Sequence, residues 1–320
     1  MEIYNMKELN RDSTFLITGS KGVLGTALIN ALKNEGFKNI LAPKRCEMDL
    51  LDPTSTQAYF ERHRPQIIAH LASCVFGLAG NMRYQMLSAV ENTAINNNIF
   101  ASIQKYPVKK FFYAGTVASY PYPYRSIPLM EESFFEGLPH YGEFGYAMAK
   151  RHAYTYLQIL SEEIGLHYTY GIFTNLYGPN DRFDLENGHV VPSLIAKAYQ
   201  ASRSGKELVV WGDGTAERDF LHAEDAAKAI LLCLDQNTEN RLINISSGVG
   251  VSIGQIAQVI AKIARVKNLT FAMDKPVGIP RRIVDNSQLV RLGFFQSISI
   301  QEGLSLTYKW YASNIEDARK

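Results

Sequence analysis

A short apolar run, Phe15-Leu16-Ile17-Thr18, ends in Gly19-Ser20-Lys21-Gly22-Val23-Leu24-Gly25 and passes at once into a stretch with helical periodicity. Strand, glycine-rich turn and helix in that order leave few folds open. Glycines at this spacing serve a tight turn, a backbone that approaches a ligand closely, and a helix packed hard on its strand. The first turn of such a helix offers N–H groups without intrahelical partners and the positive end of its dipole, a combination that binds phosphate. Val23, Leu24, Ala27, Leu28, Ala31 and Leu32 fall on one helical face, and Gly36 supplies a stop.

The alternation continues down the chain. Residues 39–42, 67–71, 110–114 and 168–175 read as further strands, and 146–164 as a long helix. Repeated βα units predict an α/β fold, a doubly wound parallel Rossmann sheet with helices on both faces. After about residue 178 loops such as Tyr177-Gly178-Pro179-Asn180-Asp181 and Trp211-Gly212-Asp213-Gly214 change the texture. Residues 225–234 and 253–263 read as helices and 242–245 as a strand. Residues 1–177 are expected to form a dinucleotide-binding Rossmann domain, with 219–246 returning to it. Residues 178–218 and 247–320 are expected to form a smaller C-terminal α/β substrate domain.

A net charge of +2 carries no global signature for nucleic acid or an anionic membrane, so any anion site is local. Cys46, Cys74 and Cys233 are widely spaced, with no C-x-x-C pair, which argues against a disulfide framework and a thiolate metal site. Residues 1–14 lack an apolar signal-peptide core, and no apolar run approaches the roughly 20 residues that span a bilayer. Cytoplasmic location is the expectation.

NAD-specific sites place an acid at the end of the second strand for the ribose 2′-OH. Here Lys44 and Arg45 stand there, with Lys21 inside the glycine loop, and cations in those places pair with a 2′-phosphate. NADP(H) is the expected cofactor, held by Gly19, Lys21, Gly22, Val23, Leu24, Gly25, Arg45 and Lys150. Asp49 and Leu50 are placed to meet the adenine, although Asp49 serves equally well as a helix cap.

Tyr146 and Lys150 lie four apart on one helical face. A tyrosine of pKa about 10 exchanges protons poorly at neutral pH, and a neighbouring lysine is expected to stabilise its phenolate. Thr116, after the fourth strand, is the expected hydroxyl donor to the same substrate oxygen. Behind a dinucleotide loop, this set reads as a ketone/alcohol oxidoreductase.

These residues resemble the extended short-chain dehydrogenase/reductases, and within them the GDP-L-fucose synthases, from about Phe15 to Trp310. The 211–225 segment, WGDGTAERDFLHAED, is shared by many nucleotide-sugar enzymes. Closer to the fucose synthases are Thr174-Asn175-Leu176-Tyr177-Gly178-Pro179, Asn187-Gly188-His189-Val190-Val191-Pro192, the 276–282 loop, and the ending around Gly303-Leu304 and Thr307-Tyr308-Lys309-Trp310. The resemblance implies a cytoplasmic homodimer that takes GDP-4-keto-6-deoxymannose, epimerises C3 and C5 and reduces C4 with NADPH. It implies Thr116, Tyr146 and Lys150 as the reductase triad. It further implies Asn175, Lys197, Trp211 and Arg218 as ligands of the nucleotide sugar, with core packing the alternative for Trp211.

One position departs. The family carries a cysteine two residues after the triad hydroxyl, and this chain has Gly115-Thr116-Val117-Ala118. Double epimerisation needs two acid/base groups. His189 matches the family's histidine, but Ala118 cannot carry a proton. The leading reading is therefore a C4-ketoreductase of a GDP-linked 4-keto sugar, hexose or heptose, without epimerase activity. A bifunctional epimerase/reductase using Cys74, a 4-epimerase or dehydratase with tightly held NAD, and a non-catalytic dinucleotide sensor stay open. The run Tyr120-Pro121-Tyr122-Pro123-Tyr124 offers either a stacking surface for sugar or base, or a rigid surface loop.

Overall fold

The computed structural model describes residues 9–185, 188–236, 240–274 and 278–319. Residues 1–8 of the amino-terminal stretch, Asn187 and Pro276 lie outside the described residues.

Six strands, β1 (Phe15–Thr18), β2 (Ile40–Leu41), β3 (Ile67–His70), β4 (Lys110–Thr116), β5 (Tyr168–Phe173) and, after an excursion, one at Arg241–Ile245, form a parallel sheet. β1 and β3 are buried along their whole length, as strands covered on both faces must be. The spatial order β2-β1-β3-β4-β5 turns outward in both directions from β1, which opens a crevice at the strand ends between β1 and β3.

Helices cover both faces. α1 (Val23–Asn34), α2 (Pro53–His63), α3 (Leu78–Arg83), α4 (Gln85–Lys105) and α5 (Phe144–Ile164) come from the first half. α4 and α5 pack on one face over Phe100, Ile103, Leu157 and Tyr170. α1 packs on the other face against a later helix, Ala223–Asp235, over Leu28, Leu32 and Ile230. α5 ends where Gly165 takes up φ +68°, a left-handed conformation that suits glycine.

The apolar run 168–175, expected as one strand, is two. β5 stops at Phe173, paired with Ile245, and β6 (Asn175–Tyr177) begins in a different sheet, paired with residues 220–222. The switch is pinned by Thr174 Oγ1 and Asn175 Nδ2, which both donate to the Asp219 carbonyl at 2.8 and 2.9 Å. The second sheet is centred on β8 (Glu217–His222), with β6, β10 (Gly250–Ser252) and β12 (Arg281–Arg282) around it; β7 (Leu208–Trp211) pairs with β11 (Leu269–Ala272). With α7 (Ala223–Asp235) and β9 (Arg241–Ile245) joining the main layer, the remaining helices are α6 (Val190–Ser204), α8 (Ile253–Ala264), α9 (Ser287–Arg291) and α10 (Ile300–Ser313). α6, α8 and α10 enclose their own core around Ile195, Ile256, Ile260 and Leu304.

Candidate active site

The glycine loop lies over the crevice. Gly19 has φ +69°, and a Cβ there would meet Ala72 N at 2.8 Å; a Cβ on Gly25 would collide with Gly19 O. Gly22 caps α1 with no side chain at the helix end, so the first N–H groups of α1 face the crevice. A pyrophosphate fits this cradle on charge and on backbone access. Lys21, Lys44 and Arg45 are exposed around it, and Arg45 Nε pairs with Asp49 Oδ2 at 3.1 Å. Asp49 does not cap α2: that position belongs to Asp52, which accepts from Thr54 N–H at 2.9 Å. Asp49 instead accepts from Leu51 N–H at 3.0 Å, while Leu50 packs on the core and offers its carbonyl to Asn98.

A cavity of about 760 Å³ runs from this cradle between the two layers, within the range of small-molecule sites. Its wall brings together Val23, Leu24, Thr116, Tyr146, Lys150, Asn175, His189, Lys197, Trp211 and Arg218. Thr116 is the last residue of β4, one step inside the strand rather than after it. Its Oγ1 accepts from Ala118 N–H at 3.2 Å, which leaves its own proton for donation. The Thr116 and Ser73 hydroxyls share this wall with the Tyr146 phenol, and both act to lower its pKa.

Lys150, one turn below Tyr146, is buried. Its Nζ donates to Ala114 O at 2.8 Å and lies 4.7 Å above the Tyr113 ring and 5.8 Å from that of Tyr146. The expectation that it lowers the Tyr146 pKa is not met. Burial pushes Tyr146 up to about 12 against the help of Ser73 and Thr116, and burial pushes Lys150 down to about 7. Tyr146 is a neutral phenol, a proton donor. Beneath Lys150, Thr18 Oγ1 meets His70 Nδ1 at 2.7 Å, His70 Nε2 meets Asn96 Oδ1 at 3.3 Å, and Tyr113 donates to the same oxygen at 3.1 Å. Burial takes His70 down to about 3, so this network is uncharged and rigid.

On the far wall the Lys197 ammonium sits 4.4 Å above the Trp211 ring, a cation–π contact. Trp211 is 40% exposed, so core packing does not account for it. Arg218 Nη1 donates to Glu217 O at 2.7 Å, and burial, aided by the Arg282 charge, lowers its pKa to about 10. Asn175 spends one amide hydrogen on Asp219 O at 2.9 Å. His189, at the start of α6, opens onto the cavity; the surrounding protein lowers its pKa while the Glu143 charge opposes this.

Ala118 is buried in the wall beside Thr116. Cys74 is not among the wall residues, although Ser73 and Val75 are. Burial and the neighbouring Glu91 push the Cys74 thiol up to about 11, so it stands protonated, outside the cavity wall. The 120–124 run is not a stacking surface either: Tyr120 is buried with its hydroxyl on Asn244 Oδ1 at 2.8 Å, and the Tyr124 hydroxyl accepts from Arg282 Nε at 2.7 Å.

Sequence reasoning missed Ser73, Glu143 and Arg282, all wall residues. Arg282 Nη1 donates to Glu143 Oε1 at 3.2 Å and Nη2 donates to Oε2, a two-point ion pair. Glu143 directly precedes α5, and its closeness to Tyr146 in sequence was the available signal. Nothing in the sequence joins it to Arg282, 139 positions on.

Residues 15–246 match the NAD dependent epimerase/dehydratase family. GDP-L-fucose synthase 1 of Arabidopsis thaliana is 31% identical over 98% of this chain and 97% of its own. A GDP-L-fucose synthetase of Naegleria fowleri, solved bound to NADP, is 30% identical with a TM-score of 0.91 over the whole of both chains. MlghC, a GDP-mannoheptose C4 reductase of Campylobacter jejuni solved with NADP bound, is 26% identical with a TM-score of 0.84 over 95% of this chain and 99% of that one. The glycine cradle, the crevice and the Thr116, Tyr146 and Lys150 grouping thus stand in a chain that belongs to the NAD dependent epimerase/dehydratase family, as a homologue of the GDP-L-fucose synthases.

Proposed function

We propose that this chain is an NADPH-dependent C4-ketoreductase of a GDP-linked 4-keto-6-deoxy sugar, hexose or heptose, that does not epimerise C3 or C5. The observation that carries it is the convergence of Thr116, Tyr146 and Lys150 on one cavity with Ala118 in its wall. When bound, NADPH supplies hydride to C4. Tyr146, neutral at physiological pH, delivers its proton to the C4 oxygen, and Thr116 donates a hydrogen bond to the same oxygen. Lys150 sets a positive charge below the phenolate that results. Lys21, Lys44 and Arg45 hold the 2′-phosphate, and the α1 terminus holds the pyrophosphate.

The opposite wall takes the nucleotide sugar. Arg218 and Lys197 meet the diphosphate, Trp211 offers its face, and Asn175 and His189 meet the sugar. Residues 1–177 with 219–246 serve the cofactor in this reading, and 178–218 with 247–320 serve the sugar nucleotide. The homologous GDP-L-fucose synthases and C4 reductase support the GDP moiety and the reduction. A cytoplasmic homodimer completes the reading, supported by the absence of any disulfide among Cys46, Cys74 and Cys233 in the described residues and by the exposed Met86, Leu87 and Val90 on α4. Among the described residues no helix is long and apolar enough to cross a membrane.

The test is turnover of GDP-linked 4-keto sugars with NADPH in heavy water, read by product NMR. NADPH oxidation with no enzyme-dependent deuterium at C3 or C5 is expected. Deuterium at either carbon restores the bifunctional reading, and no oxidation with any such sugar overturns the reductase.

A further inference from the structure

The phenol of Tyr146 has two hydroxyl neighbours, and they differ. Thr116 Oγ1 already accepts the Ala118 N–H, so its proton points outward. Ser73, in the segment after β3, gives its proton to Asn92 Oδ1 at 2.7 Å. With its proton so placed, the Ser73 oxygen is left as an acceptor in the wall that it shares with Tyr146.

Asn92 is built to release that proton cheaply. It is almost fully buried on α4, and its Oδ1 also accepts Cys74 N–H at 2.9 Å, so it keeps a donor when Ser73 leaves. Its amide nitrogen is anchored on Cys74 O and Ser88 O at 2.8 and 2.7 Å. The holder stays in place while the serine hydroxyl turns. A phenolate is a stronger acceptor than a neutral amide oxygen, so charge appearing on Tyr146 reverses the preference. The Lys150 Nζ makes its hydrogen bond to Ala114 O at 2.8 Å, whereas the hydroxyl groups named beside the Tyr146 phenol are those of Ser73 and Thr116.

We propose that Ser73 is a positioning residue for proton transfer by Tyr146: it accepts the phenol's hydrogen bond before transfer and turns its own O–H onto the phenolate afterwards. The Tyr146 O–H bond breaks, the proton joins the substrate oxygen, and the Ser73 proton remains on Ser73 with only its acceptor changed. The role rests on the reductase reading, but one of its tests does not.

That test places a fluorotyrosine at position 146 and follows its ¹⁹F resonance against pH in the parent protein, Ser73→Ala and Ser73→Thr. A midpoint higher by about one pH unit in S73A, restored in S73T, is expected for loss of a charge-assisted donor. Equal midpoints in S73A and the parent overturn the proposal, whether or not a substrate is known. With NADPH and a 4-keto GDP-sugar, S73A is expected to lose about tenfold in kcat at nearly unchanged KM. A raised KM at unchanged kcat overturns it too, by making Ser73 a substrate contact. Failure of the parent to turn over any 4-keto GDP-sugar strikes the reductase reading alone, since the ¹⁹F midpoints still decide the role of Ser73.

Discussion

Arg282 and Glu143 meet by two parallel hydrogen bonds in the wall of the cavity, three residues ahead of Tyr146 along the chain. Both are buried, and Tyr124 takes the remaining Arg282 Nε–H. Burial alone would raise the Glu143 pKa, but the Arg282 charge holds it below the usual carboxylate range. Removing one partner strands the other charge in a poorly solvated wall, at a cost of about 3–5 kcal/mol. Arg282→Met and Glu143→Gln are each expected to lower the unfolding free energy measured in urea by that amount, and the double variant to lose less than the sum. The sign with pH follows from the depressed carboxylate. Its contribution is present above the unfolded pKa and lost as pH falls through the folded one. Glu143→Gln therefore flattens the acid limb of the stability profile in chemical denaturation.

Tyr146→Phe keeps the ring and removes the proton. NADPH oxidation is expected to fall by about 10²–10⁴-fold, the range for a lost general acid. The NADPH dissociation constant, measured by fluorescence, is expected to stay within about twofold, since the phenol donates to substrate rather than cofactor. Retained activity would remove Tyr146 from the proposed chemistry.

Lys150→Met is expected to abolish turnover and yet stabilise the cofactor-free protein. Burial depresses the lysine to about 7, so the folded state binds fewer protons than the unfolded state between that value and the ordinary lysine range. The cost of burying the charge is fully present below pH 7 and is relieved as pH rises toward 10. Melting temperatures should favour the variant by several degrees at neutral pH, with a gain that shrinks in alkali.

Cofactor choice should separate from cofactor affinity. Arg45→Ala is expected to weaken NADPH by about tenfold and leave NADH within about twofold, as loss of one charged contact to a 2′-phosphate predicts. Calorimetric titration with both dinucleotides checks this. Equal losses would place Arg45 on a part of the cofactor that the two share.

Ala118→Cys places a thiol in the wall beside Thr116, in the cavity that also holds His189. Deuterium incorporation next to the C4 carbonyl is expected to rise above the parent's background in heavy water. No rise, with the variant folded and still reducing, would mean that more than Ala118 separates this site from an epimerase.

Much of this was legible from sequence where chemistry is local. The Gly19 loop, the Tyr146/Lys150 spacing and the β1, β3 and β9 positions follow from short-range patterns, and the structure puts them where those patterns point. Whatever depended on partners distant in sequence was not legible. The sign of the Tyr146 shift was one such quantity, because burial outweighs a lysine whose Nζ is directed elsewhere. The break at Thr174 was another: 168–175 is apolar enough for one strand, and only the Asp219 carbonyl, 45 residues away, shows that two sheets divide it. Ser73 belongs to the same class, since a serine after a strand acquires meaning only from the α4 asparagine and the α5 tyrosine beside it.

That break at Thr174 also bears on how ligands come and go. Two-layer enzymes often swing open on a flexible joint. Here consecutive residues leave one sheet and enter the other with no intervening turn, and both are tied to a single carbonyl of β8. A clamshell motion at this point would tear Thr174 and Asn175 from Asp219 and strip β6 from its neighbour. Ligand exchange by rearrangement of loops at the cavity rim would leave that seam shut.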